Sequence, residues 1–142
     1  MVIVGDDPWG AFPDYLAQVR MAADVVHVPW QDNAAGLMRH LDVLVAPSHQ
    51  EPFGTVLSEA MAVGTPVVTS DAPALVEVGG GAARVSALDP QALSRVLVEV
   101  TGDEALRSRM AAAGRERAGA YSWDSAAQRL WTAVRGVRAG GG

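Results

Sequence analysis

Two carboxylates, Glu51 and Glu59, bracket a glycine and the start of a strongly apolar stretch: Glu51-Pro-Phe-Gly-Thr-Val-Leu-Ser-Glu59-Ala-Met-Ala-Val-Gly64-Thr-Pro66-Val-Val. Val56, Leu57, Ala60, Met61, Ala62 and Val63 are apolar nearly all round, so a helix here is expected to be buried on most sides. An ionised Glu59 in that setting is costly unless something pairs with it. The helix start at Phe53-Gly54-Thr55 has unsatisfied N–H groups and a positive dipole end, which suits a phosphate. Gly54 has no side chain, so a ligand can approach the backbone there. The competing reading is bland: Glu59 lies on a thin solvent stripe with Ser58, and Glu51 is a loop surface charge.

The positioning elements follow from local signals. Gly64 supplies a left-handed residue after the helix, Pro66 cannot continue it, and Val67-Val68 reads as a buried strand. Upstream, Val2-Ile3-Val4-Gly5 reads as a buried parallel strand with Asp6-Asp7-Pro8 as its turn. Trp9 to Pro13 reads as loop, and Asp14 as the cap of a helix from Tyr15 to Ala23. Val25 to Pro29 is the next strand, with His27 a packed or edge histidine. Trp30 follows at that strand's C-terminal end, where open α/β sheets bind ligands, and it either stacks on a base or packs in the core. Asp32 or Asn33 caps a short helix through His40, and Leu41 to Ala46 is a strand. Ala74 to Val78 reads as one helical turn, Gly79-Gly80-Gly81 as a turn, and Ala82 to Val85 as the last strand. Asp89-Pro90 starts a helix through Val100 with Leu93, Val96, Leu97 and Val100 on one face. Asp103 caps a second helix to Ala118 whose charges form a solvated face, and Ser122 caps a closing helix that turns Ala126, Leu130, Trp131 and Val134 toward the core. Strands alternating with helices argue α/β with a parallel sheet.

Bulk properties exclude several classes. The chain has 142 residues, 49% hydrophobic and 19% charged, which suits one globular domain. A net charge of −5 without a basic run argues against nucleic acid as partner. The absence of cysteine excludes disulfides and cysteine-ligated metals. No apolar run is long enough to span a bilayer, and the first residues lack a signal-peptide pattern, so a cytoplasmic protein is expected.

The segment Glu51 to Glu59, with Phe53-Gly54 inside it and Ala-Met-Ala-Val-Gly-Thr-Pro-Val-Val after it, resembles the E-x7-E signature of retaining GT-B glycosyltransferases of group 1, or family 4. Asp42-Val-Leu-Val-Ala-Pro47-Ser48 matches the strand and loop before that signature, and the resemblance runs from Val2 to about Arg135. It implies a Rossmann-like donor-binding domain over residues 1–138, the C-terminal half of a GT-B fold, with a disordered tail at 139–142. It implies that Glu59 holds the ribose hydroxyls of a nucleotide diphosphate-sugar co-substrate. The amides of Gly54, Thr55 and Val56 would hold the diphosphate. Glu51, the expected catalytic residue, would touch the sugar together with the Phe53-Gly54 backbone, and the loop at Trp30 would hold the base. No cofactor and no catalytic metal are implied. The family's paired glycines are replaced by Ala72-Pro73, so no donor contact is carried over to that loop.

The family's preceding strand and helix, and a basic Arg and Lys pair facing the diphosphate, have no counterpart before Val2. The resemblance therefore implies a missing acceptor domain and a lost central strand between Val2–Val4 and Val43–Val45. Either that gap closes directly or the exposed edges lead to self-association. Another GT-B enzyme, such as an epimerase or phosphorylase, and a non-catalytic nucleotide-binding or interaction module are the alternatives.

Overall fold

A computed structural model describes residues 1–6, 10 and 13–139. The chain divides into two compact units, Met1–Ala34 and Ala35–Gly142. In the first, β1 (Val2–Val4) and β2 (Val26–Val28) pair in parallel, Ile3 opposite His27, and α1 (Pro13–Met21) connects them. Pro13 takes the first helical position, where its fixed φ and missing N–H cost nothing. Asp14, expected as the cap, therefore stands inside the first turn. Of the expected turn and loop before it, Asp7, Pro8, Trp9, Ala11 and Phe12 lie outside the described residues. The expectation of a buried β1 is corrected: Val2 and Val4 are exposed and only Ile3 is half-buried. A strand with one ladder neighbour among the described residues has too little around it to be covered on both faces. His27, expected as a packed or edge histidine, is half-buried on β2, its Nε2 donating to the Gly5 carbonyl at 2.7 Å.

The second unit carries the bulk of the core. After α2 (Ala34–Met38) come β3 (Leu44–Ala46), α3 (Thr55–Val63), β4 (Val67–Ser70), α4 (Pro73–Gly79), β5 (Arg84–Ser86), α5 (Pro90–Gly102), α6 (Glu104–Ala118) and α7 (Trp123–Ala139). The strands are parallel in the order β3-β4-β5, with Val68 opposite Val45 and Arg84. All four β4 residues are buried, as a central strand between helical layers must be. Val68, Val100, Leu106 and Met110 form a core cluster, joined by Val43, Leu93, Val96 and Leu97. The expected inward face of α5 is thus the observed one. Leu57, Ala60 and Met61 of α3 are buried, and α6 packs on α3 where Gly114 meets Met61: a Cβ on Gly114 would lie 3.3 Å from Met61 Cβ.

Buried hydroxyls tie the loops to this sheet. Thr65 donates to the Met38 carbonyl at 2.8 Å, and Ser70 donates to the Ser48 carbonyl at 2.5 Å. Buried polar groups stay affordable only when so paired. The α4 helix is longer than the single turn expected, because Pro73 starts it and it continues to Gly79. Gly80, at φ +50°, then turns the chain through a 3-10 segment, Gly80–Ala82.

Two expectations concerning the C-terminal helices are corrected. Ser122 Oγ does accept the Ser125 N–H at 3.1 Å as the cap of α7. Its apolar face is not turned to the core, however: Ala126, Leu130, Trp131 and Val134 are all exposed, Leu130 at 68% and Trp131 at 61%. Helical periodicity identifies which face is apolar and says nothing of what covers it. On α6, Arg117 is not part of a solvated face, because it bonds to the end of α4 as described below. Of the expected tail, Ala139 is the last residue of α7, and residues 140–142 lie outside the described residues. Each of β1 and β3 has one ladder neighbour among the described residues. No helix among the described residues is long and apolar enough to cross a membrane.

Asp103 Oδ1 accepts the Leu106 N–H at 2.9 Å and starts α6, the helix that packs on α3. Asp103→Ala is expected to lower unfolding stability by about 0.5–2 kcal/mol in urea titrations, with Asp103→Asn keeping most of it. An unchanged midpoint for the alanine variant would show that the cap contributes nothing.

Candidate functional site

The start of α3 is set by backbone geometry. Gly54 sits at φ +90°, ψ +46°, a left-handed conformation that side chains disfavour, and it offers no side-chain cap. Its carbonyl accepts the Leu57 N–H at 3.0 Å, which closes the first turn. Its own N–H is taken by Glu51 Oε1 at 3.3 Å. The amides of Thr55 and Val56 have no partner among the described residues. Two unsatisfied donors at the positive end of a helix are an arrangement whose fixed dipoles suit an anion.

Gly54 has a second role that changes what it means. It is buried, and a Cβ built on it would lie 2.6 Å from Leu75 Cδ2 of α4. The space beside it was expected to admit a ligand; on that side it is filled by leucine. The glycine lets α3 begin tight against α4, so its first duty is to the fold.

Glu59 is corrected in its surroundings. It is exposed, on an open stripe of α3 with Thr55 and Ala62, while Leu57, Ala60 and Met61 take the buried side. The segment is apolar in composition, yet positions four apart share a face, and this face is the open one. Glu59 has no hydrogen-bond or ion-pair partner among the described residues. It lies one turn beyond Thr55, about 6 Å along the axis. Glu51 is half-buried at the helix start. The second unit thus brings together Glu51, Phe53, Gly54, Thr55 and Val56 at one helix end, with Glu59 on the open face that follows. Trp30 belongs to the first unit. It is 73% exposed, its N–H donating to Asp6 Oδ2 at 2.8 Å and its Nε1 to Asp32 Oδ1 at 3.3 Å, so the core alternative for this residue falls.

Some supporting residues are not visible in the signature. Phe53 meets Tyr121 edge-on, with ring centroids 5.7 Å apart and planes at 76°. Arg117 Nη2 donates to the Tyr121 hydroxyl at 2.9 Å, and Arg117 Nε to the Val78 carbonyl at 3.1 Å. Ser70 holds the loop before Glu51 through the Ser48 carbonyl. Tyr121-Ser-Trp123 marks a helix start in the sequence, but nothing local reveals that the tyrosine reaches a loop so far back in the chain. Among the described residues no group of three acidic or histidine side chains is placed to hold a metal ion.

Comparison with known proteins places these features in context. Residues 1–117 match the family described as glycosyl transferases group 1. A D-inositol 3-phosphate glycosyltransferase from Streptosporangium roseum is 36% identical over 138 residues, covering 91% of this chain and 32% of the relative. A phosphatidyl-myo-inositol mannosyltransferase from Mycobacterium leprae is 40% identical over 111 residues, 75% of this chain and 30% of that protein. The chain therefore spans about a third of the length of these relatives. Among solved structures, sucrose-phosphate synthase from Thermosynechococcus elongatus superposes with a TM-score of 0.82 at 28% identity, over 97% of this chain and 38% of its own. Anabaena HepE in complex with UDP and glucose does so with a TM-score of 0.81 at 22% identity, over 95% and 40%.

The geometry at Gly54 yields a prediction that needs no ligand. Gly54→Ala is expected to destabilise the chain by about 1–3 kcal/mol, from left-handed strain together with the Leu75 collision. Leu75→Ala in the same chain should recover the collision part only, giving a non-additive double-mutant cycle by urea denaturation. Full additivity would show that the two residues do not meet.

Proposed function

The chain belongs to the glycosyl transferases group 1 family, and from that premise we propose that it is the donor-binding part of an enzyme that transfers a sugar from a nucleotide diphosphate to an acceptor with retention. The observation that carries this reading is the pair of unpartnered amides at Thr55 and Val56, set between Glu51 and the open carboxylate of Glu59. In the reaction the bond from the anomeric carbon to the diphosphate breaks, and a bond to the acceptor oxygen forms on the same face. Negative charge grows on the departing diphosphate. Amide donors and a helix dipole already aimed at that position stabilise the charge without reorganising. Glu51 and the Phe53-Gly54 backbone face the sugar hydroxyls. Glu59, unpaired among the described residues, accepts from the two ribose hydroxyls. Its exposure favours this role over a buried-charge role, because an open carboxylate is available to a ligand. In this reading the acceptor is held by a separate domain, and the 142 residues bind the donor without turning it over.

Two measurements test the proposal. Calorimetric titration with UDP and GDP is expected to give at least about tenfold tighter binding than the parent nucleosides, since the phosphates meet the helix end. Equal affinity of nucleoside and diphosphate would remove the diphosphate from this site. Glu59→Gln should weaken diphosphate binding by about tenfold or more while the melting temperature stays unchanged, as for other surface substitutions. Undiminished affinity in that variant would end the ribose assignment.

A further inference from the structure

The unpartnered amides of Thr55 and Val56 can hold a ligand only if the Phe53–Gly54 turn keeps its shape. The hydrogen bond from the Gly54 N–H to Glu51 is long, at 3.3 Å, and the turn has no side-chain cap. Other contacts must fix it. One is Leu75, which fills the space beside Gly54. The other is Tyr121, against whose ring Phe53 leans edge-on.

Tyr121 is itself held. Its hydroxyl donates to the Glu77 carbonyl at 3.3 Å and accepts from Arg117 at 2.9 Å. Arg117 also donates to the Glu77 carbonyl at 2.5 Å and to the Val78 carbonyl at 3.1 Å. These carbonyls belong to the last turn of α4, where unsatisfied acceptors favour a cation. Leu75 comes from the same helix. The turn is therefore gripped at two points that both lead back to α4, one direct and one through the Arg117–Tyr121 pair.

We propose that Tyr121 is a positioning residue for the anion site: its ring, fixed to the end of α4, holds Phe53 and so keeps the Thr55 and Val56 amides converging on one point. The ligand class rests on the donor-binding reading above; the mechanical role of the tyrosine does not. Preorganised donors bind tightly because the ordering cost is met in advance, so loosening the turn weakens binding without removing any ligand contact.

The test compares the wild-type chain with Tyr121→Phe, Tyr121→Ala, Phe53→Ala and Leu93→Ala. Leu93 packs against the cluster of Val68, Val100, Leu106 and Met110, so its loss destabilises through the core and serves as the control for stability alone. The first readout, without nucleotide, is amide hydrogen exchange at Gly54 and Leu57, the two N–H groups bonded within the turn. Tyr121→Ala is expected to speed their exchange by about tenfold beyond the effect of Leu93→Ala, while Tyr121→Phe, which keeps the ring but loses the hydroxyl bonds to Glu77 and Arg117, falls between wild type and Tyr121→Ala. Phe53→Ala removes the same contact from its exposed side and gives the same result should Tyr121→Ala fail to fold. The second readout is UDP affinity by calorimetry, expected to fall about tenfold in Tyr121→Ala and Phe53→Ala, to fall less in Tyr121→Phe and to persist in Leu93→Ala. Exchange at Gly54 and Leu57 that rises no more in Tyr121→Ala and Phe53→Ala than in Leu93→Ala overturns the proposal. A wild-type chain that binds no nucleotide overturns the donor reading instead, and leaves the exchange comparison to decide the role of Tyr121.

Discussion

The second unit depends on one close approach: the left-handed Gly54 backbone set against the Leu75 side chain. It lets α3 begin flush with α4, and the rest of the local structure follows from that contact. With α3 so placed, Leu57 and Met61 reach the interior and Gly114 of α6 can come up against Met61. Gly64, again left-handed, ends the helix with its N–H on the Met61 carbonyl and returns the chain to the fully buried β4. A side chain at position 54 would push on the first of these contacts and, through close packing, on all of them.

The same contact explains why a site so rich in backbone groups sits on a firm base. Thr69 and Ser70 at the end of β4 are buried, and their hydroxyls reach back to the carbonyls of Ala46 and Ser48. The loop leading to Glu51 is thereby tied to the sheet before α3 begins. One side of the site is anchored to the central strand, the other to α4. Loops that carry chemistry on a rigid scaffold are the common arrangement in α/β folds.

Much of this was legible in the sequence, and the places where it was not share a cause. Asp89 and Asp103 cap their helices as their types and spacing dictate, because capping is local chemistry between a side chain and an amide a few positions on. The strand and helix order was readable from periodicity, and the resemblance at Glu51 to Glu59 led to the family. What failed required knowledge of neighbours. Glu59 sits among apolar residues in the chain but on the open stripe in space. Leu130 and Trp131 lie on an exposed face, with the Arg135 guanidinium over the Trp131 ring, and Val2 and Val4 look like core yet are exposed. Arg117 has the composition of a surface charge, yet long-range backbone carbonyls claim it. The Phe53–Tyr121 contact is invisible for the same reason, since no local pattern links two aromatics so distant in the chain.

The proposed anion site at the amides of Thr55 and Val56 carries an unusual genetic signature. Every residue but proline carries the same N–H, so the groups that would meet the ligand are not specified by the side chains at their own positions. The information lies elsewhere, in the glycine that turns the chain and the leucine that fits against it. A saturation screen would then find positions 55 and 56 permissive to most replacements and positions 54 and 75 intolerant. Read without the structure, such a map would point to the scaffold and pass over the chemistry.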